Sequence, residues 1–214
     1  MPTRIKICGV TTPAAALAAC DAGADALGLV FYAPSRRAVS VAQAVEILAA
    51  MPPLVTSVGL FVDPEAPEVE AVLADCALDC LQFHGQENAE FCRQFGRPYI
   101  KAVSMRPEVD IEAVLAEHRA ARAFLFDAWR EDAPGATGET FDWRRLPEIR
   151  RPWMLAGGLT ADNVGAAIRQ LAPPAVDVSG GVESAPGTKD PVRIRQFVAA
   201  VREADQRRHE DAAA

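Results

Sequence analysis

Short apolar runs alternate with stretches of helical periodicity along the chain. Between the runs, apolar residues return at the spacing i, i+3, i+4 and i+7, as in Val69, Val72, Leu73 and Cys76. The pattern predicts strands that alternate eight times with helices. The runs start 19 to 30 residues apart and occupy residues 5–8, 26–31, 56–62, 80–84, 99–103, 123–128, 153–158 and 175–180.

Helix-start signals lie at several of the predicted strand-to-helix junctions. Ser40 and Gln43 have the spacing of a capping box. Asp190 followed by Pro191 is typical of an N-cap and a proline at the first helical position. Thr160 is predicted to cap the helix that follows the seventh run.

Regular strand–helix alternation predicts parallel strands joined by right-handed crossovers. Eight such units favour an α/β fold, a single-domain (β/α)₈ TIM barrel over residues 1–205, with a flexible charged tail at 206–214. The alternative is a doubly wound open sheet. Such sheets usually have about five or six strands, and the glycine fingerprint expected after their first strand is absent from this sequence.

Composition and charge exclude several classes of function for this protein. The 214 residues are 50% apolar and carry a formal net charge of −7, which argues against a nucleic-acid-binding surface. The N-terminal segment lacks an apolar signal-peptide core, and no apolar run is long enough to predict a membrane span. Five cysteines without a C-x-x-C pair predict reduced thiols in a cytoplasmic protein and no zinc site.

The active site of such a barrel lies at the carboxyl ends of its strands, so the polar residues at those positions are candidates for chemistry. Two glycine pairs follow strands seven and eight, where backbone N–H groups can approach a phosphate. The alternative is that both pairs only form tight turns. The candidates are Cys8, Arg36, Arg37, Asp63, His84, Ser104, Asp127, Gly157, Gly158, Asp177, Ser179, Gly180 and Gly181.

Cys8 and Asp127 are the residues best suited to proton transfer. A free thiol ionises near pH ~8.5 and can serve as a base, although a cysteine is more often a small buried apolar residue. Asp127 ends an apolar run, and a poorly solvated carboxyl group suits a general acid; the alternative is a cap or an ion-paired scaffold residue. Lys6 lies one layer below Cys8, where it either lowers the thiol pKa or pairs with Asp177.

The remaining candidates are predicted to bind rather than react. Arg37 is suited to hold a carboxylate with two parallel bonds, whereas Arg36 fits a solvated surface position. His84 is predicted to line the pocket without a chemical role. Asp177 either faces the pocket or orients a neighbouring group.

With these residues in place, the sequence closely resembles the phosphoribosylanthranilate isomerase family of tryptophan biosynthesis. The resemblance extends in order over nearly the whole chain. It is carried by KICGVT (6–11), GADALGLVF (23–31), SRRAV (35–39), QFHG (82–85), FDA (126–128), GATGETFDW (135–143), AGGLTADNV (156–164), DVSGGVE (177–183) and GTKD (187–190).

The resemblance implies an Amadori rearrangement, an aldose–ketose isomerisation of a small phosphorylated substrate without metal or organic cofactor. It implies that Cys8 is the general base and Asp127 the general acid. It further implies that Arg37 holds the anthranilate carboxylate and that the glycine loops hold the phosphate. A monomer or a homodimer is expected.

Three departures from the family pattern stand at Gly180, at Ala136 in the loop after strand six, and in the first helical turn, TPAAA. Three other functions compete with the isomerase. A histidine-pathway Amadori enzyme would use two carboxylates, and Cys8 replaces one of them here. A metal-dependent epimerase needs more histidines at strand ends. A phosphate-binding scaffold barrel has no need of both Cys8 and Asp127.

Overall fold

The computed structural model describes residues 1–128 and 141–213. Eight parallel strands form a closed barrel in sequence order, and β1 pairs with β8 to close it. This confirms the predicted barrel and excludes the open sheet. The strands are β1 Arg4–Cys8, β2 Ala26–Val30, β3 Thr56–Phe61, β4 Cys80–Phe83, β5 Tyr99–Ser104, β6 Ala123–Asp127, β7 Trp153–Leu155 and β8 Ala175–Val178.

The described residues contain seven α-helices rather than the eight predicted. Residues 141–152, which lead into β7, contain a 3₁₀ turn at Trp143–Arg145 in place of a helix. A hairpin that sequence analysis did not predict, β9 Glu183–Ala185 with β10 Thr188–Lys189, stands between β8 and the last helix. The helices are α1 Pro13–Ala22, α2 Val41–Ala50, α3 Ala66–Asp75, α4 Ala89–Arg93, α5 Ile111–Glu117, α6 Val164–Leu171 and α7 Pro191–Ala213.

Two of the three predicted helix starts are confirmed. Ser40 and Gln43 exchange their side-chain-to-backbone bonds at 3.2 and 2.9 Å, and Asp190 accepts from the Val192 N–H at 2.8 Å. The prediction for Thr160 is wrong, because α6 begins after Asn163. The Asn163 side chain accepts from the Thr160 N–H at 2.8 Å, which forms a separate turn ahead of the helix.

Alternation along each strand separates the core between sheet and helices from the barrel interior. Ile5 and Ile7 are fully buried beneath the helices, and each contributes roughly 1.5–3 kcal/mol of hydrophobic stabilisation. Lys6 and Cys8 alternate with them and face inward. A second cluster of apolar side chains fills the barrel interior, namely Val58, Ile100, Ala102, Leu125, Met154 and Ala156.

The last helix ties the two ends of the chain together. The backbone N–H and the hydroxyl of Thr3 both donate to the buried Asp205 carboxylate at 2.7 Å. Since α7 runs on as helix through residues 206–213, the domain limit at residue 205 stays a prediction. Within the described residues, no helix is both long and apolar enough to cross a bilayer.

Candidate active site

A cavity of about 1030 Å³ opens at the carboxyl ends of the strands. Parallel strands place their carboxyl ends at one edge, so residues far apart in sequence meet there. All the candidates selected from sequence line this cavity, while their individual roles stay predictions. They are Cys8, Arg36, Arg37, Asp63, His84, Ser104, Asp127, Gly157, Gly158, Asp177, Ser179, Gly180 and Gly181.

Cys8 ends β1 with 5% of its surface exposed. One layer deeper, Lys6 lies opposite Asp177 in the β1–β8 register, and its ammonium donates to the Asp177 carboxylate at 2.7 Å. Both side chains are at least nine-tenths buried. The predicted interior ion pair is therefore confirmed, and it stands directly beneath the thiol.

Gly28 of β2 gives the thiol and the ammonium their space. A Cβ at this glycine would lie 2.8 Å from the Cys8 sulfur and 3.2 Å from the Lys6 Nζ. Any other residue at position 28 would force the two groups to move. This role of Gly28 was not predicted, although a glycine inside the apolar run ALGLV is a signal for close approach.

Opposing effects set the protonation of Cys8. Burial raises the pKa of the Cys8 thiol, the Lys6 ammonium lowers it, and the Asp177 carboxylate raises it again, with a net increase. Burial lowers the pKa of Lys6, but Asp177 and Cys8 outweigh this and raise it, so the ammonium stays charged. The resting sulfur is therefore a thiol beside a fixed positive charge.

Asp127 is linked to two residues of β4 and the loop that follows it. The His84 Nε2 lies 3.1 Å from the Asp127 carboxylate, and the His84 Nδ1 lies 3.0 Å from the side-chain nitrogen of Gln82. Asp127 and His84 retain 21% and 24% side-chain exposure, whereas Gln82 is fully buried. The acid candidate is thus the more solvated of the two proton-transfer groups.

This chain of bonds accommodates two proton arrangements. An ionised Asp127 accepts from Nε2–H of His84, while the Gln82 amide donates to Nδ1. A protonated Asp127 donates to Nε2 instead, which leaves Nδ1–H facing Gln82. The Gln82 Oε1 is buried and without a partner among the described residues, and when the amide is turned this oxygen accepts the hydrogen bond from Nδ1–H. Nothing in the sequence singles out Gln82, because its partner is visible only in the fold.

Arg37 lines the cavity, but part of its guanidinium is already engaged. Its Nε and Nη2 both donate to the Glu183 carboxylate at 2.7 Å. Gly9, with φ of 73°, makes room for this side chain, because a Cβ there would lie 2.5 Å from the Arg37 Cδ. The glycine after Cys8 therefore serves both the turn and the approach of Arg37 to the site.

The two glycine turns pack against neighbouring backbone. A Cβ at Gly157, whose φ is 82°, would lie 2.3 Å from the Ala128 nitrogen. A Cβ at Gly181 would lie 1.9 Å from the Leu159 carbonyl oxygen, in the loop after β7. Both pairs therefore form tight turns, and the same glycines line the cavity, as an anion site requires; phosphate binding by these turns stays a prediction.

One of the three departures from the family pattern falls outside what the structure describes. Ala136 lies among the residues between 128 and 141 that are not described. Across residues 1–128 and 141–213, no group of three or more His, Cys, Asp or Glu side chains is placed to hold a metal ion.

Comparison with known proteins gives one consistent result. Residues 5–200 match the family model described as N-(5'phosphoribosyl)anthranilate (PRA) isomerase. An N-(5'-phosphoribosyl)anthranilate isomerase of Cellvibrio japonicus is 55% identical over 91% of both chains. One of Pseudomonas aeruginosa is 54% identical over 93% of this chain and 95% of its own.

Solved structures agree with the sequence relatives. A phosphoribosyl anthranilate isomerase of Thermotoga maritima superposes with a TM-score of 0.86 at 38% identity, covering 94% of this chain and 99% of its own. A phosphoribosyl anthranilate isomerase in complex with reduced 1-(o-carboxyphenylamino)-1-deoxyribulose 5-phosphate gives 0.80 at 36% identity with the same coverage. The chain belongs to the N-(5'-phosphoribosyl)anthranilate isomerase family.

Proposed function

We propose that Cys8 and Asp127 are the base and the acid with which this chain isomerises N-(5-phosphoribosyl)anthranilate in tryptophan biosynthesis. The chain is an aldose–ketose isomerase by its family, and the product is 1-(2-carboxyphenylamino)-1-deoxyribulose 5-phosphate. The observation that carries the assignment is the meeting of both residues and both glycine turns in one cavity. A scaffold barrel would need neither proton-transfer group.

Asp127 acts first. Its carboxyl group protonates the furanose ring oxygen, and the C1′–oxygen bond breaks to leave a protonated Schiff base between C1′ and the anthranilate nitrogen. The contact between His84 and Asp127 at 3.1 Å supports this role, because it holds the carboxyl group in place in either proton state.

Cys8 acts second. Its thiolate removes the proton from C2′, which the adjacent positively charged Schiff base has made acidic. The electron pair of the broken C–H bond forms the C1′–C2′ double bond, and the Schiff-base nitrogen accepts the displaced pair to give an enolamine. Tautomerisation then forms the C2′ ketone and places a proton on C1′. Since the nitrogen is the electron sink, the route needs no metal or organic cofactor.

Binding groups flank these two residues. Glu183 occupies the Nε and Nη2 side of Arg37, so the other edge, formed by Nη1 and the second hydrogen of Nη2, is available for the anthranilate carboxylate. The turns at Gly157, Gly158, Gly180 and Gly181, with Ser179, would bind the phosphate through backbone N–H groups. His84 and Asp177 would contact the sugar between the two anions.

We further propose a cytoplasmic enzyme that acts as a monomer or a homodimer. The Thermotoga maritima family member, 35% identical in one solved form with a TM-score of 0.81, is described as dimeric, and that solved form as monomers generated from it. Light scattering on the purified chain distinguishes the two states.

Complementation tests the function directly. A tryptophan auxotroph that lacks only this isomerase should grow without tryptophan when it expresses the chain. The same strain with Cys8→Ser in the chain should not grow. Failure of the wild-type chain to restore growth while soluble protein accumulates would contradict the assignment.

A further inference from the structure

The β9–β10 hairpin joins the loops after three strands. The Thr11 hydroxyl donates to the Gly187 carbonyl at 3.0 Å, after β1. A Cβ at Gly187 would lie 2.5 Å from the Arg36 carbonyl oxygen, after β2. The Lys189 ammonium donates to the Ser179 carbonyl at 3.1 Å, after β8. The hairpin is thus built into the rim of the active site.

Three charged side chains meet where this hairpin faces the cavity. The Glu183 carboxylate accepts two bonds from Arg37 and one from the Lys189 ammonium, all at 2.7 Å. The Lys189 side chain is fully buried and that of Glu183 is 4% exposed, whereas Arg37 keeps 17% exposure. Arg37, Lys189 and Glu183 together carry a net charge of +1. Arg37 is the member of this cluster that reaches the cavity.

The position of Lys189 allows Arg37 to be held by Glu183 and still attract an anion. A bidentate bond to Glu183 fixes the plane of the Arg37 guanidinium, but by itself it would form a neutral pair with little attraction for a carboxylate. Lys189 compensates the Glu183 charge from the buried side. The free edge of Arg37 therefore keeps its orientation and its attraction for an anion.

We propose that Lys189 and Glu183 are positioning residues that determine specificity for a carboxylate on the substrate: Glu183 orients Arg37, and Lys189 cancels the Glu183 charge so that Arg37 keeps its own. The proposal rests on the carboxylate-binding role proposed above for Arg37. It assigns a function to the GTKD segment (187–190) beyond its place in the fold.

The contribution of Lys189 and Glu183 to carboxylate binding can be measured with a pair of ligands. The first is reduced 1-(2-carboxyphenylamino)-1-deoxyribulose 5-phosphate, and the second is the same compound with a phenyl ring in place of the carboxyphenyl ring. Calorimetry gives the Kd of each for the wild-type chain and its variants. The ratio of the two Kd values reports the carboxylate contact alone, because phosphate and sugar contacts are common to both.

Lys189→Met should weaken the carboxylate ligand by about ten- to a hundredfold, the loss expected for one unit charge near a partly buried site. Binding of the phenyl ligand should change far less. The double variant Glu183→Gln/Lys189→Met restores the net charge of +1 and keeps an amide oxygen for Arg37, so most of the lost selectivity should return. This balanced variant also provides a readout should the single variant fold poorly.

The buried pair Lys101–Glu87, joined at 2.9 Å, provides a matched control. Lys101 also lines the cavity, but it bonds Glu87 and backbone carbonyls rather than Glu183, so Lys101→Met should leave the Kd ratio unchanged. Equal losses for both ligands in Lys189→Met, or no recovery in the double variant, would overturn the proposal. If Arg37→Met leaves the ratio unchanged, the role of Arg37 itself is wrong, and if the wild-type chain binds neither ligand, the proposed function is wrong.

Discussion

The two sides of the active site differ in their exposure to solvent. On the β1–β8 side, Cys8 is 5% exposed above the buried Lys6–Asp177 pair. On the β4–β6 side, Asp127 and His84 keep 21% and 24% side-chain exposure. The side of the proposed base is shielded from water and its charges are paired, whereas the side of the proposed acid is open to proton exchange with solvent. Proton abstraction from carbon benefits from a poorly hydrated base, and an acid must be reprotonated at each turnover.

Removing the base should produce the largest effect. Cys8→Ser should lower kcat by about 10²–10⁴-fold, because a hydroxyl group is a far weaker base than a thiolate. The rate is measured as the loss of substrate fluorescence when the anthranilate glycoside becomes the ketose. Cys80→Ser is the matched control, since Cys80 lies on the interior side of β4 at the opposite end of the barrel. Full activity in Cys8→Ser would remove the thiol from the mechanism.

Removing the acid should have a comparable or smaller effect. Asp127→Asn should lower kcat by about 10²–10⁴-fold, because the amide cannot protonate the ring oxygen. The more solvated environment allows water to replace part of this function, so we place this loss below that of Cys8→Ser. The same fluorescence assay, with thermal unfolding as the check on folding, measures the difference. A wild-type rate would exclude Asp127 as the acid.

Ionisation of the Cys8 thiol should also control the pH dependence of kcat/KM. Burial raises the pKa of the Cys8 thiol, so the thiolate is the minor form at neutral pH and its fraction grows as pH rises. The value of kcat/KM should therefore increase above pH 7 until the thiol is ionised. A profile that stays flat from neutral to alkaline pH would contradict thiolate catalysis.

Substitutions in the Lys6–Asp177 pair should move the pH at which kcat/KM rises, in opposite directions. Lys6 lowers the pKa of Cys8 and Asp177 raises it. Lys6→Met should therefore shift the rising limb of kcat/KM to higher pH, and Asp177→Asn should shift it to lower pH. The double variant, which removes both charges, should fall between them. Shifts of the same sign in both single variants would show that the pair does not act through the thiol.

Treatment with a metal chelator should have no effect on the rate. In the proposed mechanism the Schiff-base nitrogen accepts the electron pair from C2′, so EDTA should leave the rate unchanged. The comparison is made on the same enzyme batch before and after chelator treatment. Inhibition by EDTA that zinc reverses would favour the epimerase instead.

Much of the architecture follows from local pattern. The apolar runs predicted all eight strands, because an inward–outward alternation and helical periodicity are properties of neighbouring residues. Two predictions from regular alternation did not hold among the described residues, for local reasons of another kind. Residues 141–152 contain a 3₁₀ turn where a helix before β7 was predicted, and the turn that Asn163 forms with the Thr160 N–H moves the start of α6 to Val164.

The site was predictable to the level of its members but not of its contacts. Sequence placed Cys8 and Asp127 at strand ends, and barrel closure brings strand ends together. It did not show that His84 contacts Asp127, nor that Gln82 supports His84. Those bonds depend on the stagger between strands, which the hydrophobic pattern leaves open.

The sequence by itself determined an eight-unit barrel, a single rim of polar residues and the family to which they belong. Only the tertiary structure decided how charges pair, because the partners are remote along the chain. It selected the Lys6–Asp177 pair, 171 positions apart, from the two alternatives that the sequence left open, and it joined Arg37 to Glu183 across 146 positions. Ion pairs and hydrogen bonds act over a few ångströms. Closure of the barrel and the seating of the β9–β10 hairpin bring those groups within reach of one another.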